Sequence, residues 1–408
     1  MINKKTLFVC IALCAAYILN AQDSNVKVQN VFSKTSINFD PSTHPDGLNE
    51  TDSIIYIANG RIALKKVKLP HFTHNTQLTA KITLVSNGDP WDKSGSCFII
   101  PNESAINMMH IAQNKEKYPA VDSTLHENLT GIVQGHRYMP TVEIMRFMTP
   151  FGVGHFSADD NELSAKRKPV YIDGWAKDVV WEEDISDLLP LFENEVYVGV
   201  YIDTWTKDGY VVDLDISYKE SNLSCDTKIA KQVEPLINTV YYIGQKHPDI
   251  FARKNVDVSF TIPEGAKNIR LKYITTGHGG HSNGDEFRPQ ENILSINGEE
   301  VYSFTPWRTD CASFRRFNPS TGVWLRKRIV AYIGREGRAE KEIEEPIASS
   351  DLSRSNWCPG SHVTPEIIAL TDIKPGNHTL TISIPDSKEI DDDKLNHWLV
   401  SAYLVWEK

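Results

Sequence analysis

Val212, Leu214 and Ile216 alternate with Asp213, Asp215 and Ser217, the two-residue period of a strand with one buried and one wet face. The same period runs through Val256, Val258, Phe260 and Ile262, and through Leu380, Ile382 and Ile384. Further strand candidates lie at 54–58, 81–85, 195–205, 292–296 and 399–405, with turns marked by Asn87-Gly88, Asn297-Gly298 and Pro375-Gly376. Beyond the first residues no long stretch has a helical period; short helices are expected near 105–113 and 184–191. Many short strands with turn punctuation predict an all-β chain built from β-sandwiches.

The chain starts with Lys4 and Lys5 followed by an apolar run from Leu7 to Leu19, the pattern of a secretory signal cut after Ala21. The run is shorter than a membrane span of about 20 residues, and Leu13 before Cys14 argues against a lipid anchor. Export to the periplasm or outside the cell is expected, without stable membrane insertion. The remaining length suits two domains. The expected division is a polar leader at 22–50 with little core potential, a first domain at 51–225 and a second at 226–408, with a polar boundary near 219–231. Segments 102–138 and 326–354 read as surface insertions.

Without Lys4 and Lys5, 41 basic side chains face 53 acidic ones, a net charge of −12. That makes the chain a poor candidate for nucleic-acid backbones. Cys97, Cys225, Cys311 and Cys358 remain after the signal, allow three pairings, and show no CxxC spacing for a thiolate zinc site.

The candidate chemistry gathers around a repeated turn. Ser86-Asn-Gly-Asp89 follows one strand-like run and leads into Pro90-Trp91-Asp92-Lys93; Ser282-Asn-Gly-Asp285 follows another, behind Gly277-His-Gly-Gly-His281, and leads into Glu286. Two related halves, each offering an acid from an equivalent loop, would let those acids meet between them. Asp92 between an indole and a cation suits sugar recognition, or is a turn Asp beside a part-buried Trp. Asp203-Thr-Trp205 ends an apolar strand with an acid and an indole on one side, equally a strand-end carboxylate at a core edge. His278 and His281 with the following acids offer metal ligands, but in no strong metal spacing; the glycines also allow a ligand close to the backbone. Met108-Met109-His110 reads as core filler before a copper site. Arg354-Ser-Asn-Trp357-Cys358-Pro-Gly360 sets an Arg and a Trp beside a cysteine.

In this linear order the segments resemble the peptide-N-glycosidase F family of secreted bacterial amidases. Trp91-Asp92-Lys93 is similar to that family's Trp-Asp-Arg, Arg146-Phe-Met-Thr-Pro150 to its Arg-Phe-x-Thr-Pro, and Asp203-Thr-Trp205 to its Glu-Thr-Trp. Glu286 falls where its second-domain catalytic Glu lies, and the segment from Arg354 matches its Arg-x-x-Trp-Cys-Pro-Gly. The resemblance implies two eight-stranded antiparallel jelly rolls packed side by side with the site between them. It implies hydrolysis of the amide between the first N-acetylglucosamine of an N-glycan and asparagine, on a glycoprotein or glycopeptide; a monomer is expected, and a mechanism of carboxylates and water with no strong metal spacing in the chain predicts activity without cofactor or metal. Asp92 is then the principal acid–base carboxylate, Glu286 shares proton work or contacts the sugar, and Asp203 positions water. Trp91, Lys93, Trp205, His278, Arg354 and Trp357 would bind substrate, and Cys311 would pair with Cys358; Cys97 with Cys225 is a weaker expectation. Asp203 and Lys93 depart from the family's Glu and Arg, and His278 from its indole. Two other readings stay open: a glycan-binding protein with impaired catalysis, and a metal-dependent oxidoreductase on two jelly rolls.

Overall fold

The computed structural model describes residues 26–101, 106–115, 132–135, 138–157, 172, 174–240, 242, 249–280, 283–391 and 395–408. The expected signal cleavage and His281 lie outside them.

The first half holds β1 (Lys27–Ile37), β2 (Asn49–Thr51), β3 (Ile54–Ile57), β4 (Ile62–Val67), β5 (Thr76–Ser86), β6 (Ser94–Ile100), β7 (Val142–Met148), β8 (Val179–Asp184), β9 (Val196–Ile202) and β10 (Tyr210–Glu220). The second holds β11 (Lys231–Asn238), β12 (Val256–Ile262), β13 (Lys267–His278), β14 (Asn292–Ile296), β15 (Glu299–Phe304), β16 (Val323–Gly334), β17 (Gly337–Ala348), β18 (His362–Val363), β19 (Glu366–Ala369), β20 (Gly376–Ser383) and β21 (His397–Glu407). The chain is all-β. One four-stranded sheet, β1-β10-β5-β8, faces a sheet ordered β18-β7-β6-β9-β4-β3-β2; the second half contributes the sheets β11-β21-β13-β19 and β12-β20-β14-β15.

Alternation sets the inward faces. Val212, Leu214 and Ile216 of β10 are buried and lie opposite Leu84, Ile82 and Ala80 of β5 in antiparallel register. A one-residue slip would turn both rows outward, so the pattern fixes the pairing. In β6, β7 and β21 nearly every position is buried, because these strands are covered on both faces. That explains their continuous apolar runs, which carry no period.

Four sequence expectations change. Residues 26–50 are not a leader without core potential: Val31, Phe32 and Ile37 of β1 are buried, and the strand pairs with β10. The long wet stretches between these apolar positions hide them in the composition. Within 102–138, Met108–Ala112 forms a short helix capped by the Asn107 side chain, and Met108, Met109 and Ala112 are buried; this part is packed against the body and is no surface loop. Segment 326–354 is mainly the β16–β17 hairpin, with twelve paired positions. Its short two-residue turn, Arg335-Glu336 before Gly337, and its β-branched positions outweigh its density of charge. Cys97 and Cys225 are unpaired, one buried and the other exposed, so their weak expected bridge does not form.

The halves are joined through a buried polar cluster. Arg146 on β7 donates to Glu143 at 2.6 Å and to Thr276 Oγ1 of β13 at 3.3 Å, and also to the Leu399 carbonyl of β21. Ser96 donates to Glu143 at 2.7 Å. Strand β18, from the second half, extends the first half's sheet by pairing with β7.

Candidate active site

The loops that follow β5, β9 and β13 and the segment after β17 converge at one end of the two halves. The first is held by Asp89. This buried carboxylate accepts from the Trp91 N–H at 3.0 Å, Thr204 Oγ1 at 2.7 Å and Thr206 Oγ1 at 3.3 Å. It therefore ties Pro90-Trp91-Asp92 to Asp203-Thr204-Trp205. Tyr210, fully buried, completes the brace: its hydroxyl donates to the Trp91 carbonyl at 2.6 Å and accepts from Thr149 Oγ1, which in turn accepts from the Lys93 N–H. Asp92 thus has its backbone fixed on both sides. Gly88, at φ 137°, lets this turn lie on Asp208, whose Cβ would be 2.7 Å from any Cβ at 88.

The second turn follows the same logic. Asp285 is buried, accepting from Gln290 Nε2 at 2.8 Å and from the Lys388 N–H. In both repeats the Asp of Asn-Gly-Asp is the brace, and the acid that is mostly but not fully buried comes after it: Asp92 three residues on, Glu286 one residue on. The Glu286 carbonyl accepts from the Ser355 N–H at 2.9 Å, and Ser355 Oγ donates to the Asp285 carbonyl. Gly279, at φ 145°, brings its N–H to the Glu286 carboxylate; a Cβ there would meet Asn396 Oδ1 at 2.4 Å.

Arg354 joins the two acids. Its Nε donates to Glu286 at 2.8 Å, its Nη1 to the Leu352 carbonyl at 2.9 Å, and its Nη2 lies 3.8 Å from Asp92. The guanidinium is buried and packs over Trp357, 4.8 Å from the ring centroid, and Phe287, at 5.0 Å. Paired backbone bonds with Arg308 and the Cys311–Cys358 disulfide hold this segment. Burial raises the Asp92 carboxyl, against the lowering pull of Arg354 and Lys93. Burial likewise pushes Glu286 up to about 7, with Arg354 opposing and the Asp92 charge adding to the rise. Two carboxylates in one desolvated site around one cation titrate as a unit.

The remaining sequence candidates separate. Trp91 and Trp205 are 53% and 58% exposed, open to a ligand. Asp203 is paired with Arg61 at 3.4 Å, and the same guanidinium stacks on Trp205 at 4.2 Å. Trp357 and His278 sit beneath the acids and not on the open face: Trp357 donates to the Gly277 carbonyl, and His278 stacks between Trp357 and His397. Burial holds both histidines below their ordinary range, which keeps them neutral near pH 7. Lys93 is part-exposed beside Asp92. The residues the sequence reading missed are Arg61, Tyr210 and His397. Each is an isolated side chain far along the chain from its partner, with no spacing to mark it. Among the described residues no group of three or more metal-ligating side chains clusters.

The family models for the N-terminal and C-terminal parts of peptide-N-glycosidase F match residues 28–218 and 246–405. The chain belongs to the peptide-N-glycosidase F family. Two solved structures of PNGF-II are 31% identical, with a TM-score of 0.78; the match covers 96% or 97% of this chain and 68% or 67% of theirs. Recombinant peptide:N-glycanase F is 13% identical at a TM-score of 0.59, and the PNGase F of Flavobacterium meningosepticum, described as a glycosylasparaginase, is 14% identical at 0.58; each match covers 94% of this chain and 96% of the other. At that identity the likeness speaks for the fold. No curated protein sequence matches the chain. Among the described residues no helix is long and apolar enough to cross a membrane.

Proposed function

We propose that this member of the peptide-N-glycosidase F family is an exported amidohydrolase. It would cleave the amide between N-acetylglucosamine and asparagine in N-glycoproteins or glycopeptides, leaving aspartate in the peptide. The observation that carries the reading is the meeting of Asp92 and Glu286, one from each half, on the buried Arg354, with Glu286 raised to about 7.

An amide is a poor electrophile with a poor leaving group, so hydrolysis needs a base for water, charge stabilisation at the tetrahedral oxygen and a proton for nitrogen. At neutral pH the pair can hold one proton. Glu286, raised to about 7, donates that proton to the leaving nitrogen; Asp92, whose rise Arg354 and Lys93 oppose, is the carboxylate that takes a proton from water. Arg354 has its donors committed to Glu286, Leu352 and the Asp92 side, so its role is to set the spacing and charge of the pair. Trp91 and Trp205 offer flat apolar faces for sugar rings. Asp203, fixed by Arg61, orients water at the edge of the cleft.

The binding-only alternative draws on one observation: Asp203 is the shorter acid, and its carboxylate is already engaged by Arg61. Incubation with a denatured N-glycoprotein, followed by mass spectrometry of the peptides, separates the two. Conversion of the glycosylated Asn to Asp with release of intact glycan supports the amidase. Glycopeptide binding without conversion supports the alternative.

A further inference from the structure

The β16–β17 hairpin carries a feature that packing does not account for. Its strands pair only with each other among the described residues. Leu325, Ile329 and Ile333 share one face of β16 and are 67%, 70% and 89% exposed. The other face holds Val330, Ile343 and Ile347, which are half-buried. Large aliphatic side chains thus occupy the wetter face, in a row and not singly. Directly opposite Lys327, Ile329 and Ala331 stand Glu344, Glu342 and Glu340, which share that face. The same face also carries Lys327, paired with Glu342 at 3.4 Å, and Arg338 opposite Ile333, so three glutamates there outnumber two cations.

The roots of the hairpin are walls of the candidate site. Just before β16, Ser320 Oγ donates to the Pro90 carbonyl at 2.7 Å, one residue from Trp91. Just after β17, the Ser349 N–H donates to Gly322 and the Ser350 N–H to Thr321 Oγ1, and the chain runs on to Arg354. Twelve strand residues reach about 40 Å from that rim.

We propose that this face binds the polypeptide arm of the glycosylated substrate, as an extended segment with apolar and basic side chains. The inference rests on the amidase or glycan-binding reading of the same site, since in either the sugar–asparagine junction sits at the carboxylates. Polypeptide on each side of that junction must leave past the rim, where the hairpin is continuous with the site. The aliphatic row meets apolar side chains and the glutamates meet basic ones. A two-stranded ribbon is marginal in water by itself, and a chain laid across its apolar face withdraws those side chains from water.

The test is the triple variant Leu325→Thr, Ile329→Thr, Ile333→Thr, in which threonine keeps strand propensity, placed in an Asp92→Asn background to prevent turnover. Fluorescence anisotropy measures affinity for a long glycopeptide with apolar and basic flanks and for the same glycan on a single asparagine. The unsubstituted face should favour the long ligand, and the triple variant should weaken that ligand about tenfold while leaving the short one unchanged. Equal weakening of both, no weakening of the long one, or no preference for the long one to begin with would overturn the proposal. So would sedimentation showing that the triple variant splits a dimer, which would make the row a self-interface. If the enzyme with Asp92 intact converts no glycopeptide yet the preference for length holds, the amidase reading fails and the docking face stands.

Discussion

At the residue scale the proposed amidase reaction depends on how two carboxylates divide one proton. Asp92→Asn keeps size and hydrogen bonding but removes the exchangeable proton, so amidase turnover should fall by about 10²–10⁴-fold or more, with a cooperative melting transition no lower than wild type. Wild-type turnover in that variant would reject the assignment. The same substitution removes the like charge that lifts Glu286, so the Glu286 carboxyl should titrate below about 7 in carbon-detected NMR. Glu286→Gln should also damage turnover, yet it should stabilise the protein at alkaline pH. The sign follows from the raised value. Between the ordinary 4.5 and about 7 the folded protein keeps a proton that the unfolded chain has released, so this group's contribution to stability is lost as pH rises through that window. Melting curves should show Glu286→Gln above wild type at pH 8 and equal to it near pH 4. The identities Asp92, Glu286 and Arg354 were legible from ordered short motifs. That Arg354 is buried between the acids was not, because a motif states neighbours along the chain and says nothing of burial.

At the element scale, the site loops are braced by buried polar side chains in place of a strand ladder. Tyr210→Phe would leave the Trp91 carbonyl and the Thr149 hydroxyl with only their long 3.4 Å bond to each other in place of the 2.6 Å and 3.0 Å bonds of the phenol. The cost should be about 1–3 kcal/mol of unfolding free energy, together with a loss of turnover from a looser Asp92; denaturant unfolding and glycopeptide kinetics read both. The Cys311–Cys358 bridge closes a loop containing the whole β16–β17 hairpin and the Arg354 segment. Replacing both cysteines with serine should cost roughly 3–4 kcal/mol in the chain-entropy account, measured by denaturant titration. The pairing followed in the sequence from the family resemblance alone, since four cysteines leave three pairings open. Alternation located β5, β10, β12 and β20 well. It passed over β1, where buried Val31, Phe32 and Ile37 are spaced irregularly across register shifts.

At the scale of the whole molecule, the two halves are set against each other by the Glu143–Arg146 cluster, which reaches Thr276 and Leu399 in the second half. Thr276 also bonds His278 at 2.8 Å, so the joint between the halves continues into the layer beneath the acids. Arg146→Met would leave Glu143 charged and buried, and should cost about 3–5 kcal/mol. Replacing Glu143 with Gln as well should restore part of that loss. A double-mutant cycle by chemical denaturation checks the coupling, and independent additive losses would show that the pair does not act as one unit.

The sequence by itself determined the all-β class, because period-two alternation and turn residues act over a few neighbouring positions. It also singled out Asp92, Glu286 and Arg354 as candidates, because their motifs are local and occur in order. Only the tertiary structure decided which acids are braces and which face the cleft. Asp89 and Asp92, or Asp285 and Glu286, are chemically alike in the sequence; burial and hydrogen-bond partners distant along the chain divide their work. It was likewise the packing of one half on the other that brought Asp92 and Glu286 to a single guanidinium, and it raised Glu286 by withdrawing both acids from water.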